Sequence, residues 1–118
     1  MGTITLEKLA APAYVPNSAG AVFTNPASTK TYIRLIVLHN GNTTTENVRL
    51  YNVPNSGGAV GTAGVSNIFE NLAIVANDTV QLEFLGPGLV LTATNDTIQA
   101  VTDTASKVVV QIMGAKEV

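Results

Sequence analysis

The chain has 118 residues, enough for one domain with one core and too few for two ordinary ones. Hydrophobic residues make up 46% and charged residues only 12%, about half the charged share of an ordinary soluble domain. The net charge is −2, and the six basic residues (Lys8, Lys30, Arg34, Arg49, Lys107, Lys116) are scattered, which argues against a nucleic-acid binder, since that needs a basic face. The absence of cysteine removes disulfide scaffolds, thiolate catalysis and Cys-based zinc sites. No stretch approaches the roughly 18 apolar residues of a membrane span. The N-terminal MGTITLEKLAAPAY has no basic stretch leading into an apolar run, so no signal peptide is expected.

In chain order, Thr3–Leu6 reads as a short strand. Pro12, Pro16 and Pro26 then stand among small residues. Proline removes ladder donors and favours extended or edge geometry, so residues 1–30 read as an extended arm or as edge strands around a wide loop. Residues 31–118 read as the main domain. Within it, TYIRLIVLHN (31–40) and ENVRLYNV (46–53) are rich in β-branched and aromatic residues, with Asn40-Gly41 between them, a strong hairpin signal. A two-residue turn there pairs Ile33 with Val48. It puts Leu35, Val37 and Leu50 on a core face. The opposite face then carries Tyr32, Arg34, Ile36, Leu38, Arg49 and Tyr51.

Two octapeptides are almost identical: VPNSAGAV (15–22) and VPNSGGAV (53–60). Pro-Asn-Ser followed by small residues is turn chemistry, and the flanks do not match, so this reads as one turn solution used twice. NDTVQ (77–81) and NDTIQ (95–99) echo each other in the same way. GGAVGTAG (57–64) lacks the lysine of a phosphate loop and is not followed by a clear helix, so it reads as a mobile connection. SNIFENLAIV (66–75) leans towards strand. TVQLEF (79–84) alternates, with Val80, Leu82 and Phe84 inward. Leu85-Gly86-Pro87-Gly88 turns the chain, LVLTAT (89–94) returns, Asn95-Asp96 turns again, and TIQAVT (97–102) and KVVVQIM (107–113) follow. Short strands with turns every eight to twelve residues or so indicate an all-β, single-domain antiparallel β-sandwich or jelly-roll-like barrel with an extended N-terminal arm.

No residue set announces a reaction. His39 is the sole histidine, with no nucleophile elbow and no second imidazole for a metal. Asp78, Asp96 and Asp103 sit at turns, where aspartate caps backbone amides, and form no calcium-loop cluster. No catalytic residue, cofactor or metal ligand is therefore assigned. Sugar stacking would rest on Tyr14, Tyr32 and Tyr51 alone. Low charge on an apolar chain instead favours a surface covered by other subunits.

The hairpin IRLIVLHNGNTTTENVRLYNVPNSGG, then ANDTVQLEF, then the closing SKVVVQIMG, together resemble small all-β virion proteins of tailed bacteriophages. The resemblance covers roughly residues 30–114. It implies a non-enzymatic capsid decoration (cement) protein on the virion surface, made in the host cytoplasm, whose partners are the major capsid protein and itself, as a homotrimer at local three-fold positions. A tail or head-fibre component and a small carbohydrate-binding sandwich stay open beside it. The expected interface residues are Tyr14, Val15, Tyr32, Arg34, Ile36, Arg49 and Tyr51, with a second core layer as the other reading of the hairpin face.

Overall fold

The computed structural model describes residues 4–118. They form nine strands: β1 (Ile4–Tyr14), β2 (Gly20–Thr24), β3 (Lys30–Asn40), β4 (Glu46–Val53), β5 (Ile68–Ile74), β6 (Thr79–Glu83), β7 (Leu89–Leu91), β8 (Thr97–Thr102) and β9 (Val108–Glu117). There is no helix among the described residues. One sheet has the order β1-β9-β3-β6, with β7 also on β3, and the other has the order β2-β8-β4-β5. All pairings are antiparallel. They nest: β4 with β5, β3 with β6 and β7, β2 with β8, β1 with β9. A long ribbon folded over on itself in this way is a jelly roll, one of the two architectures expected from the spacing of strands and turns.

The core lies between the sheets. Ile33, Ile36, Leu38, Val110 and Ile112 of the first sheet meet Val48, Leu50, Ile74 and Ile98 of the second. Among the described residues, the N-terminal stretch is not a free arm. Strands β1 and β2 are edge strands, one in each sheet, so the edge alternative is the one formed. The short strand expected at Thr3–Leu6 is the start of an eleven-residue one, with Thr3 itself outside the described residues. Strand β5 confirms the strand reading of the 66–75 segment.

Two expectations are corrected. The Asn40-Gly41 hairpin does not form, because β3 and β4 lie in different sheets. Strand β3 is already paired on both sides, by β9 and by β6 and β7, and has no free edge for β4. The Asn40 N–H donates to the Asp78 carbonyl and the Gly41 N–H to the Lys107 carbonyl. Asn40 is fully buried. Its side-chain amide donates to the carbonyls of Thr44 (3.0 Å), Ile74 (2.8 Å) and Val75 (3.3 Å), and its Oδ1 accepts from Asn42 N. The dipeptide is a crossover between sheets, held by the asparagine.

The inward phase of β3 is the second correction. A register shift between Ile33 and Leu35 inserts an extra residue, Arg34, opposite β9. A bulge reverses which side chains face inward beyond it. Ile33 is buried as expected, but thereafter Ile36 and Leu38 are fully buried, while Leu35 and Val37 point to the outer face. The break also explains the split of β6 from β7. Both run in the same direction along β3, and Leu85–Gly88 is an excursion opposite Arg34, whose carbonyl accepts the Phe84 N–H. Two glycines admit this geometry: a Cβ on Gly88 would strike the Ile33 carbonyl, and one on Gly114 the Tyr32 carbonyl.

Candidate interaction surface

Several polar side chains that the sequence offers for chemistry are used to hold connections between strands. Glu46 is 2% exposed. Its carboxylate accepts from Thr102 Oγ1 (3.0 Å), Thr104 N (2.9 Å) and Asn42 Nδ2 (2.9 Å). Burial by itself raises its pKa, but the hydrogen bonds from Asn42, Thr104 and Thr102 outweigh burial and hold it below the ordinary value. Asp96 accepts from the backbone N–H groups of Asn55, Thr92 and Ala93 and from Asn55 Nδ2. Burial again acts to raise its pKa, and these bonds again win and lower it. Asn25, fully buried, locks the β2–β3 crossover as Asn40 locks the next: its amide donates to the carbonyls of Thr29 and Ala93 and its Oδ1 accepts from the Thr31 hydroxyl. His39 is exposed, and its Nδ1 lies 2.8 Å from Thr79 Oγ1. Among the described residues no three His, Asp or Glu side chains gather closely enough to hold a metal.

The second sheet is covered on its outer side at the end where β4 reaches Tyr51 and Val53, while Asn47, Arg49 and Asn71 at the other end stay exposed. The connection between β4 and β5 folds back over it and is tied down by Asp96 to Asn55, by Asn95 Nδ2 to the Gly58 carbonyl and by Gln99 Nε2 to the Gly61 carbonyl. Tyr51 and Gln99 are buried as a result. The strap encloses an open groove of about 560 Å³ lined by residues including Val53, Pro54, Asn55, Thr62 and Asn67. The segment expected to be a mobile connection is thus an anchored one. The two octapeptides also do different work here. In the second, Ser56 and Ala59 exchange backbone hydrogen bonds around Gly57 and Gly58, both at positive φ. In the first, Ala19 replaces that glycine and no such turn tip forms. That copy leads from β1 to β2, with Val15 in the core and the Pro16 carbonyl accepting the Thr102 N–H.

The first sheet is open on its outer side. Cross-strand pairing sets out its rows. Lys8, Met113, Leu35 and Glu83 form one row from the β1 edge to the β6 edge. Tyr14, Val109, His39 and Thr79 form another. Tyr32 pairs with Ala115 and Val90, and its hydroxyl donates to Glu117 Oε1 at 2.7 Å. Leu35, Val37, Val109 and Met113, with Gln111 between the last two and paired with Val37, are half-buried at the middle of this face, and Tyr14 is 59% exposed at its rim.

The seven expected interface residues therefore do not share one surface. Tyr14 and Tyr32 lie on the outer face of the first sheet, with Arg34 exposed at its bulge. Arg49 is exposed on the second sheet, and Tyr51 is buried there under the strap. Val15 and Ile36 are fully buried core residues, so neither is available to a partner. For Ile36 the cause is the bulge; Val15 turns inward where the chain leaves β1. Sequence reasoning missed Leu35, Val37, Val109 and Met113 as surface. Only the position of the bulge could have moved the first two, whereas the alternation in KVVVQIM already put Val109 and Met113 on the side opposite Val108, Val110 and Ile112.

No protein-family model matches the chain, and no curated protein matches it in sequence. Among solved structures it is similar to a protein described under "Bacillus endospore appendages form a novel family of disulfide-linked pili", with a TM-score of 0.50 and 16% identity over 99% of this chain and 89% of that one. At that identity the likeness shows a shared fold.

Proposed function

We propose that this chain is a non-enzymatic structural subunit that works by burying surface in an assembly of many copies, in the manner of a capsid decoration protein. One observation carries the reading. The outward positions at the middle of the two central strands of the first sheet are mostly apolar (Leu35 and Val37 on β3, Val109 and Met113 on β9, with Gln111 the one polar side chain among them), where a sheet face meant for water alternates to polar residues. On a virion the partners are the major capsid protein and further copies of this chain. Each copy would bridge a junction between capsid subunits, so that rupture must first separate these surfaces. Apolar burial contributes about 25 cal/mol per Å², less the cost of ordering, and many copies add as avidity.

A second setting, the shaft of a filament, is favoured by the fold shared with the endospore appendage protein. The pili of that protein are disulfide-linked, and this chain has no cysteine, so its own filament would hold by non-covalent contacts alone. Light scattering over a wide concentration range, with electron microscopy of the concentrated samples, tests the reading. Discrete oligomers, sheets or filaments are expected. A monomer at every concentration, with no retention on co-expressed capsid shells, would overturn it.

A further inference from the structure

The open face of the first sheet is patterned around a largely apolar centre, and the pattern matches itself. Its rows run across four strands in the order β1, β9, β3, β6. The row Lys8–Met113–Leu35–Glu83 has a cation at one edge, an anion at the other and two apolar side chains between them. Nearer the end of β9, Glu117 pairs with Lys30 of β3, and the alternation with the buried Thr31 places both on the outer side. The remaining charged or titratable groups associated with this side are Tyr14, Tyr32, His39 and, at the bulge, Arg34.

We infer that this face is a self-complementary docking surface for a second copy of the chain, related by a two-fold axis that runs parallel to the strands between β9 and β3. This rests on the reading of the chain as a self-assembling subunit. Rotation about such an axis lays β9 of one copy over β3 of the other, and β1 of one over β6 of the other. Lys8 then meets the partner's Glu83, Glu117 meets the partner's Lys30, Met113 meets the partner's Leu35 and Val109 meets the partner's His39. Each ionic contact occurs twice by symmetry, and Arg34 falls near the partner's Gly114. A two-fold axis running across the strands instead would return each strand to itself reversed and leave the edge charges unmatched. The charges therefore choose the axis as well as the partner.

The size is sufficient. Four strands about 4.8 Å apart, over the length of β9 from Val109 to Glu117 at about 3.3 Å per residue, give a flat area of roughly 550 Å² per copy. Side-chain relief enlarges the accessible area beyond this projection. Two copies together then reach the lower end of specific interfaces, at about 1,200 Å². Apart from Gln111, which pairs with Val37, the centre is apolar and the charges stand at its margin, the arrangement in which apolar burial supplies affinity and charge supplies register and partner choice.

A charge-reversal cycle tests the inference. Lys8→Glu and Glu83→Lys stand at exposed positions on edge strands, and circular dichroism checks that each variant keeps the fold. Either single reversal sets like charges together at both ends of the row and is expected to weaken dimerisation about tenfold or more in sedimentation velocity. The double variant Lys8→Glu/Glu83→Lys restores the opposite-charge pairing and should recover most of the loss. Oligomers that both single reversals leave unchanged would overturn this face while leaving the self-assembly reading intact. A parent protein that stays monomeric at all concentrations would overturn both.

Discussion

Replacing Glu46 with alanine removes the acceptor that joins the start of β4 to the end of β8 and to the loop leading into β9. Three donors lose their partner. The Thr102 hydroxyl is buried and cannot recover a bond from water, whereas the Thr104 N–H is in an exposed loop and can. Hydrogen bonds to charged groups contribute about 1.5–3 kcal/mol each and are not additive, so a loss of about 3 kcal/mol is expected. With a urea slope of about 1–1.5 kcal/mol per M for a chain of this size, the unfolding midpoint should fall by about 2–3 M. Glu46→Gln keeps an acceptor for Thr102 and Thr104 but turns an amide N–H₂ towards Asn42, and should cost about half as much. The charge also sets a pH dependence. The folded-state pKa of Glu46 lies below its ordinary value of 4.5, and that of Asp96 below 3.8. The unfolded chain thus takes up protons more readily, and the stabilisation is complete above the unfolded values and lost as pH falls through the folded ones. The urea midpoint of the parent should drop on going from neutral pH into that acid range, and Glu46→Gln should flatten the drop. A midpoint for Glu46→Ala within about 0.3 M of the parent (less than about 0.5 kcal/mol by the same slope), or an acid response identical in Glu46→Gln, would refute this role for the carboxylate.

The bulge in β3 predicts that Ile36→Ala costs about 2–5 kcal/mol, as for a fully buried aliphatic side chain, whereas Leu35→Ala costs under about 1 kcal/mol; an uninterrupted alternation predicts the reverse, and urea denaturation of the pair decides. Asp96→Ala should release the strap from the second sheet, seen as faster proteolytic nicking between Gly57 and Gly64 and greater solvent access to Tyr51 in fluorescence quenching, and unchanged protection would show that Asn95 and Gln99 suffice to hold it. Asn40→Asp exchanges an amide that donates to three carbonyls for a group that repels them, with an expected loss of about 3 kcal/mol or more. The same change arises by deamidation at Asn40-Gly41, so intact-mass measurement should show the chain stable to it when folded and converting when held in denaturant.

Much of the architecture is legible in the residues. Alternation in TVQLEF and KVVVQIM gives the strands and their inward faces, because a side-chain period of two needs only local geometry. The turn residues at Asn77, Asn95 and Gly86–Gly88 mark chain bends, because positive φ is cheap only for such residues. Glu46 could have been found the same way, since it stands in phase with Val48 and Leu50, and a carboxylate on a core face demands donors.

Partner choice and phase were not legible. Asn40-Gly41 satisfies the local rules for a hairpin, yet β9 and β6 occupy both edges of β3 and send β4 to the other sheet. Arg34 carries no mark of a bulge, because the extra residue is created by pairing with the distant Gly114–Met113 segment, and one inserted residue exchanges the inner and outer faces of everything after it. What the sequence determined by itself is therefore the strands, their turns and a core too apolar to leave uncovered, all of them near-neighbour properties of the chain. What only the tertiary structure decided is which strands share a sheet, and hence which side chains form the open face, because long-range hydrogen bonding sets both.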